Sequence, residues 1–178
     1  METKKVWSQQ ADTYWLRSLG VNHTLLPNQS YTLEVDQYDN IYLREYQKQF
    51  SFDYKLYGLE TSLINRVVKT AKEVPGNLGI LLNGLRGTGK TVTAKQICNE
   101  LGLPVILVDR FIEEGHRFIN QIPQDIIVFI DEYEKIFEEN HQLLSIMDGA
   151  MNSDYKRIFV LTTNELYISE NLIQRPGR

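Results

Sequence analysis

A run of aliphatics, "LGILLN", leads directly into "GLRGTGKT" and then into the helix-forming "VTAKQICNEL". No other stretch restricts the fold as strongly: it asks for a strand, a tight turn and a helix in immediate succession. The turn matches G-x-x-x-x-G-K-[ST], with Gly84, Gly89, Lys90 and Thr91 in register. Glycines open backbone conformations closed to other residues and bring amide N–H groups against phosphate oxygens. The helix expected over 89–101 would aim its positive end at the same anion. Contacts to a nucleotide are therefore expected from Gly84, Leu85, Arg86, Gly87, Thr88, Gly89, Lys90, Thr91 and Val92. Within that set Lys90 would neutralise the β- and γ-phosphates, and the Thr91 hydroxyl would bind Mg²⁺. An ordinary glycine-rich turn is the alternative, and a strand before it with a helix after it argues against that. Arg86 is expected to face solvent and is given no catalytic part.

Three further runs, "VILV", "IIVFI" and "RIFVL", are apolar at every position or nearly so. Strands apolar on both faces belong in a parallel sheet covered by helices on each side. Helical segments lie between them, which gives the βαβ rhythm of an α/β domain. Ahead of the glycine turn, "LETSLINRVVKTAKEV" sets Leu59, Leu63, Val67, Ala71 and Val74 on one helical stripe, stopped by Pro75-Gly76.

Residues 1–50 differ in character and form a segment of their own, ahead of a main domain over 51–178. In "VWSQQADTYWLRSLG" the spacing of Trp7, Ala11, Tyr14, Trp15 and Leu19 predicts a small N-terminal helix ending at Gly20. "YTLEV" and "IYLREY" alternate as strands do, and predict a hairpin with Asp39 and Asn40 in its turn. The aromatic side chains here are expected to pack on the main domain, with a partner-docking surface as the alternative.

"IIVFIDEYEKIF" delivers Asp131 and Glu132 to the end of a buried strand. At the carboxyl edge of a parallel sheet such carboxylates face the phosphate turn. Asp131 would hold Mg²⁺, and Glu132 would polarise a water for in-line attack on the γ-phosphate. Asn164, at the end of "RIFVLTTN", could orient that water; on its own it would read as a turn former. "RPGR" supplies Arg175 and Arg178, either a solvated basic end or a pair of arginine fingers reaching a neighbouring subunit.

Composition removes several classes. The net charge of −4, with both signs interspersed, leaves no electrostatic footprint for nucleic acid, although a local basic groove would not alter it. One cysteine, Cys98, excludes an intramolecular disulfide framework and suits a reducing, cytoplasmic setting; on its helix it reads as a buried hydrophobe. The three histidines lack ligand spacing, and no segment has the length of a membrane span.

The succession "GLRGTGKT", "IIVFIDE", "LTTN" and "LIQRPGR" resembles the AAA branch of the AAA+ ATPases over 51–178. Within it, the stretch from "LLSIMDGAM" to "RPGR" is similar to the AAA translocases that insert the Rieske protein, and more distantly to membrane-tethered AAA proteases. The resemblance implies a P-loop NTPase fold, with Walker A and B motifs at the positions above. It also implies ATP and Mg²⁺ as ligands, hydrolysis at the interfaces of a homo-oligomeric ring (usually a hexamer), and work on a protein or macromolecular complex. By the same likeness Tyr57 and Gly58 of "YKLYGLE" would lie beside the adenine, and Phe111-Ile112 would form either a pore grip or a buried pair.

Three departures stand out. Leu85-Arg86 replaces a proline-rich loop opening, the pore-loop stretch is short, and the family's last strand and helical lid do not follow Arg178. The expectation is therefore a fragment of a longer polypeptide that binds ATP weakly and hydrolyses it poorly alone. The aliphatic edge "LGILL" would then be left to the N-terminal hairpin, another chain or further residues to cover. Two functions are weighed: a remodelling ATPase, and a nucleotide-dependent assembly switch or loader acting on a protein or DNA complex. A small-molecule kinase is set last, because it leaves Asn164 and the paired arginines unexplained.

Overall fold

The computed structural model describes residues 5–10, 13–18, 23–52, 61–137, 143, 147 and 153–165, with backbone placement only for 5–10 and 13–18. Leu59, Tyr57, Gly58, Arg175 and Arg178 lie outside the described residues. Among the described residues, no helix is long and apolar enough to cross a membrane.

The predicted N-terminal helix is replaced by strands: β1 (Lys5–Gln10) and β2 (Thr13–Ser18) pair antiparallel, from Lys5 opposite Ser18 to Gln10 opposite Thr13. Over so short a stretch a helical spacing and an alternating one are hard to separate. Val6, Trp7, Thr13, Tyr14 and Trp15 are residues that favour the pleated form. The expected second hairpin is present as β3 (Ser30–Val35) and β4 (Ile41–Gln47). Its turn is tied by Asp36, whose Oδ1 accepts from the amides of Tyr38 at 2.8 Å and Asn40 at 2.9 Å. Asp39 takes the left-handed conformation (φ 60°) that such a turn requires.

Helix α1 (Thr61–Glu73) buries Ile64 and Ala71, then the chain passes Gly76 into β5 (Leu78–Asn83). There follow α2 (Lys90–Leu101), β6 (Val105–Leu107), α3 (Gly115–Gln121), β7 (Ile126–Ile130), a 3₁₀ turn (Tyr133–Lys135) and β8 (Arg157–Thr163). The four apolar runs are thus β5, β6, β7 and β8. They join β3 and β4 in one six-stranded sheet of order β4-β3-β6-β7-β8-β5, parallel except for β4.

Alternation along β7 assigns its side chains to two cores. Ile126, Val128 and Ile130 face a cluster with Ile119, Tyr133, Phe137 and Leu143. Ile127 and Phe129 face the cluster made by α1 and α2, including Ile64, Ala94, Ile97 and Cys98. Burial pushes the Cys98 thiol up to about 12, so it behaves as the small hydrophobe expected.

The β3–β4 hairpin extends the main sheet. Tyr31, Leu33 and Phe50 are buried in the shared cores, so the expected packing of this aromatic region on the main domain is met for these residues. Asn99 of α2 grips the chain just after β4, accepting from the Phe50 amide at 3.1 Å and donating to its carbonyl at 2.9 Å. The hairpin lies beside β6, at the edge remote from β5. It therefore does not cover the "LGILL" edge, which corrects one of the options above.

Candidate phosphate-loop site

In a parallel sheet the carboxyl ends of neighbouring strands open on one rim, and ligands bind there. β5, β8 and β7 are consecutive in this sheet, and each ends in a candidate residue.

From β5 the chain turns through 84–89 into α2. Gly87 (φ 81°) and Gly89 (φ 86°) are left-handed, which side-chain-bearing residues adopt only at a cost. A Cβ at either would meet nothing within 4 Å, so backbone conformation, rather than space, demands glycine. Thr88 braces the turn, its hydroxyl donating to the Leu85 carbonyl at 2.8 Å. Leu85 is exposed, as is Arg86, and Val92 continues the first turn of α2.

Lys90 folds back into the turn. Its Nζ donates to Gly84 O (2.8 Å), Leu85 O (2.9 Å) and Asn164 Oδ1 (2.9 Å). All three donors are used on neutral oxygens, and among the described residues no carboxylate pairs with it. An ammonium held this way in the mouth of a glycine turn, at a helix N-terminus, is suited to an anion.

At the end of β7, Asp131 Oδ1 accepts from Thr91 Oγ1 (2.8 Å) and Thr162 Oγ1 (2.6 Å). A hydroxyl and a carboxylate this close form a hard-oxygen pair of the kind Mg²⁺ takes alongside phosphate oxygens and waters. Among the described residues there is no group of three or more His, Cys, Asp or Glu placed to hold a metal by themselves. The donor set therefore fits Mg²⁺ bound together with a phosphate, and does not fit a protein-only metal cage.

Glu132 leaves the strand in a left-handed conformation (φ 50°, ψ 59°), uncommon for a residue with a side chain. Its amide donates to Thr162 Oγ1 at 2.8 Å. Oε1 accepts from Asn164 Nδ2 at 2.6 Å, and Oε2 is paired with Lys135. Lys135 first, then Asn164, hold its carboxyl below the usual carboxylate range, with a smaller contribution from the Arg86 charge. Asn164 thus joins Lys90 to Glu132 across the rim. Its amide N–H and Nδ2 also donate to Glu134 Oε1, at 2.9 and 3.1 Å.

The structure therefore brings together Lys90, Thr91, Asp131, Glu132 and Asn164 beside the turn 84–89, all singled out in the sequence. Three partners went unread: Thr162, Glu134 and Lys135. Their signals were faint, namely two threonines closing an apolar strand and, in "DEYEK", a second acid and a lysine three residues after Glu132. The pair Phe111-Ile112 splits: Ile112 packs on the core, while Phe111 is 41% exposed with its ring edge-on to Phe137 at 6.1 Å.

Several known proteins are similar to this chain. The proteasome-activating nucleotidase 2 of Haloferax volcanii is 33% identical over 127 residues, 56% of this chain and 31% of that protein. That of Halobacterium salinarum is 31% identical over 148 residues, 68% of this chain and 36% of that protein. The chain thus spans about a third of the length of these curated relatives. A solved structure of a Thermotoga maritima RuvB variant is 25% identical, covering 65% of this chain and 40% of that one, with a TM-score of 0.45. The family model for the "ATPase family associated with various cellular activities (AAA)" matches residues 80–178. That match takes in the glycine turn, the Asp131-Glu132 rim and Asn164, and it covers more than half of the chain: the protein belongs to the AAA family of ATPases.

Proposed function

We propose that this chain binds ATP with Mg²⁺ and hydrolyses it, as one subunit of an oligomer that remodels or moves a protein or macromolecular complex. One observation carries the reading: Asn164 bridges the Lys90 ammonium and the Glu132 carboxylate, 2.9 Å from the one and 2.6 Å from the other. That contact supports reading Lys90 as the cation for the phosphates and Glu132 as the base for water, side by side on the rim.

Each residue then has a defined task. The amides of 84–89 and the N-terminus of α2 receive the phosphates. Lys90, released from the Gly84 and Leu85 carbonyls, moves its charge onto the β- and γ-oxygens. Thr91 and Asp131 would hold Mg²⁺, which when bound neutralises charge on the phosphate oxygens. Glu132, ionised because its carboxyl is held low, accepts a hydrogen bond from the attacking water. Asn164 fixes where that water sits. Arg175 and Arg178 are proposed to complete the site of a neighbouring subunit, and Tyr57 and Gly58 to flank the adenine. The relatives' name, proteasome-activating nucleotidase, supports a protein as the object of the work. A cytoplasmic setting remains part of this proposal.

Calorimetry with Mg-ATP on the purified chain and on Lys90→Ala is the test. Binding that Lys90→Ala loses is the expected result, and absence of binding by the unaltered chain would end the proposal.

A second reading, a nucleotide-dependent assembly switch with slow hydrolysis, is favoured by one detail. Both oxygens of Glu132 are engaged, one by Asn164 and one by Lys135, so the base is restrained before any water reaches it.

A further inference from the structure

Glu134 lies on the 3₁₀ turn after Glu132, a position that calls for no acid on packing grounds. Tyr133 before it goes into the core at 3% exposure. The left-handed backbone at Glu132 turns the chain back beneath the end of β8 and brings the Glu134 carboxylate against Asn164. Its Oε1 accepts two bonds from that one residue, from the backbone N–H at 2.9 Å and from Nδ2 at 3.1 Å. Its Oε2 is buried and has no hydrogen-bond partner among the described residues. A buried acceptor left unsatisfied destabilises a fold by about 1–3 kcal/mol, and only the two bonds to Asn164 offset it here. Both bonds this carboxylate accepts therefore come from Asn164.

Those bonds bear on the orientation of Asn164. An Asn amide has two nearly isosteric orientations, and its terminal torsion is broad. With Oδ1 toward Lys90 and Nδ2 toward Glu132, both ends meet complementary charge. Reversed, the NH₂ would face an ammonium and the carbonyl would face a carboxylate. Lys90 and Glu132 select the first orientation only while both stay in place, and each takes on a further partner when nucleotide and water arrive. Glu134 has no such substrate role, and both bonds it accepts through Oε1 come from Asn164. We infer that Glu134 is a positioning residue, which fixes the side-chain orientation of Asn164 while Lys90 and Glu132 engage the substrate. This rests on the ATPase reading above and deepens it.

The test is a double-mutant cycle on the full chain in its assembled form, with kcat and ATP affinity measured in Mg²⁺. Glu134→Ala is expected to lower kcat about tenfold or more while ATP affinity stays within about twofold. Glu134→Gln, which retains an acceptor oxygen for Asn164, should recover most of the rate. In an Asn164→Ala background Glu134→Ala should add little, because the group it positions is gone. Full additivity of the two losses would overturn the inference, as would normal kcat in Glu134→Ala. If that variant does not fold, Glu134→Asp takes its place: drawing the acceptor back by one methylene should give the same loss at unchanged affinity, and an unchanged kcat would overturn the inference.

A readout independent of turnover separates the two levels. By NMR, the Asn164 side-chain amide protons should be protected from solvent exchange in the unaltered chain and exchange about tenfold faster in Glu134→Ala. Equal exchange in both would overturn the inference even in an active enzyme. Protection that depends on Glu134 in a chain without ATPase activity would overturn the functional reading and leave the positioning intact.

Discussion

Thr91 Oγ1 donates to Asp131 Oδ1 across 2.8 Å, joining the first turn of α2 to the end of β7. The motif residue and the strand-end carboxylate are 40 positions apart in sequence, and the sheet makes them one unit. If this pair serves Mg²⁺, its loss should appear only when the metal is present. Thr91→Ala is expected to weaken Mg-ATP binding by about tenfold and to leave binding in EDTA unchanged. Titration calorimetry under both conditions checks this, and equal losses in the two would assign Thr91 to phosphate or packing instead.

Glu132→Gln removes the charge of the proposed base and keeps its shape, so the hydrogen bond with Thr162 and the turn should persist. ATP affinity is expected to hold within about twofold, with turnover falling roughly 10²–10⁴-fold. Single-turnover measurements decide. Substantial residual hydrolysis would move the base elsewhere.

The Lys135 partner gives a pH test of the same group. Lys135 is the largest cause of the lowered Glu132 carboxyl, so Lys135→Ala should return it toward the ordinary range. Glu132 must be ionised to act, so the acid limb of the rate profile should move to higher pH in Lys135→Ala. The linked stability has the same sign: the depressed group's contribution is complete above its unfolded value and is lost as pH falls through the folded one. The variant also frees Oε2. Basal turnover near neutral pH should therefore rise if the pairing restrains the base, as the switch reading holds, and a fall would favour the remodelling reading.

The frame of this site was legible because the physics is local. Runs such as "IIVFI" are apolar at every position, which suits only a strand covered on both faces, and "GLRGTGKT" combines glycines with a lysine in a spacing few other uses require. What escaped depended on chain reversal. Glu134 and Lys135 matter only because Glu132 adopts φ 50° and turns the following residues back toward β8. Nothing in "DEYEK" specifies that. The placement of β3 beside β6 was equally unreadable, since a hairpin's alternation sets its faces and not the sheet edge it joins. The segment 5–18 misled for a different reason. Its aromatics satisfy a helical spacing by coincidence, while their intrinsic preference is for strands.

Arg157 gives a test of the frame itself. It is 0% exposed at the start of β8, and its guanidinium donates to the carbonyls of Gln124 (2.6 Å), Ile122 (2.7 Å), Asn120 (3.3 Å) and Lys156 (3.4 Å). It thereby ties the loop after α3 to the sheet, and burial lowers the hold on its proton. Arg157→Leu fills part of the volume and takes this donor from the Gln124 and Asn120 carbonyls, while Ile122 O keeps the Gln124 amide and Lys156 O keeps the Ile126 amide. A stability loss of roughly 2–4 kcal/mol is expected in urea unfolding, with the slope m unchanged. A loss below about 1 kcal/mol would mean that water or a shifted loop replaces the guanidinium.

The proposed sharing of sites between subunits yields the most discriminating experiment. Arg175→Ala should abolish hydrolysis in the assembled protein while each chain still binds ATP, because the arginine acts on a neighbour's phosphate. Lys90→Ala should abolish binding and leave its own arginines functional. Mixed in equal amounts, the two inactive chains should regain activity. In a head-to-tail ring, roughly a quarter of the interfaces would pair an intact phosphate turn with an intact arginine. Recovery should depend on prior disassembly and re-assembly, since chains locked in separate rings cannot exchange partners. A mixture that stays inactive after exchange has been verified by native mass measurement would confine each active site to one chain, with Arg175 acting on the phosphate of its own subunit.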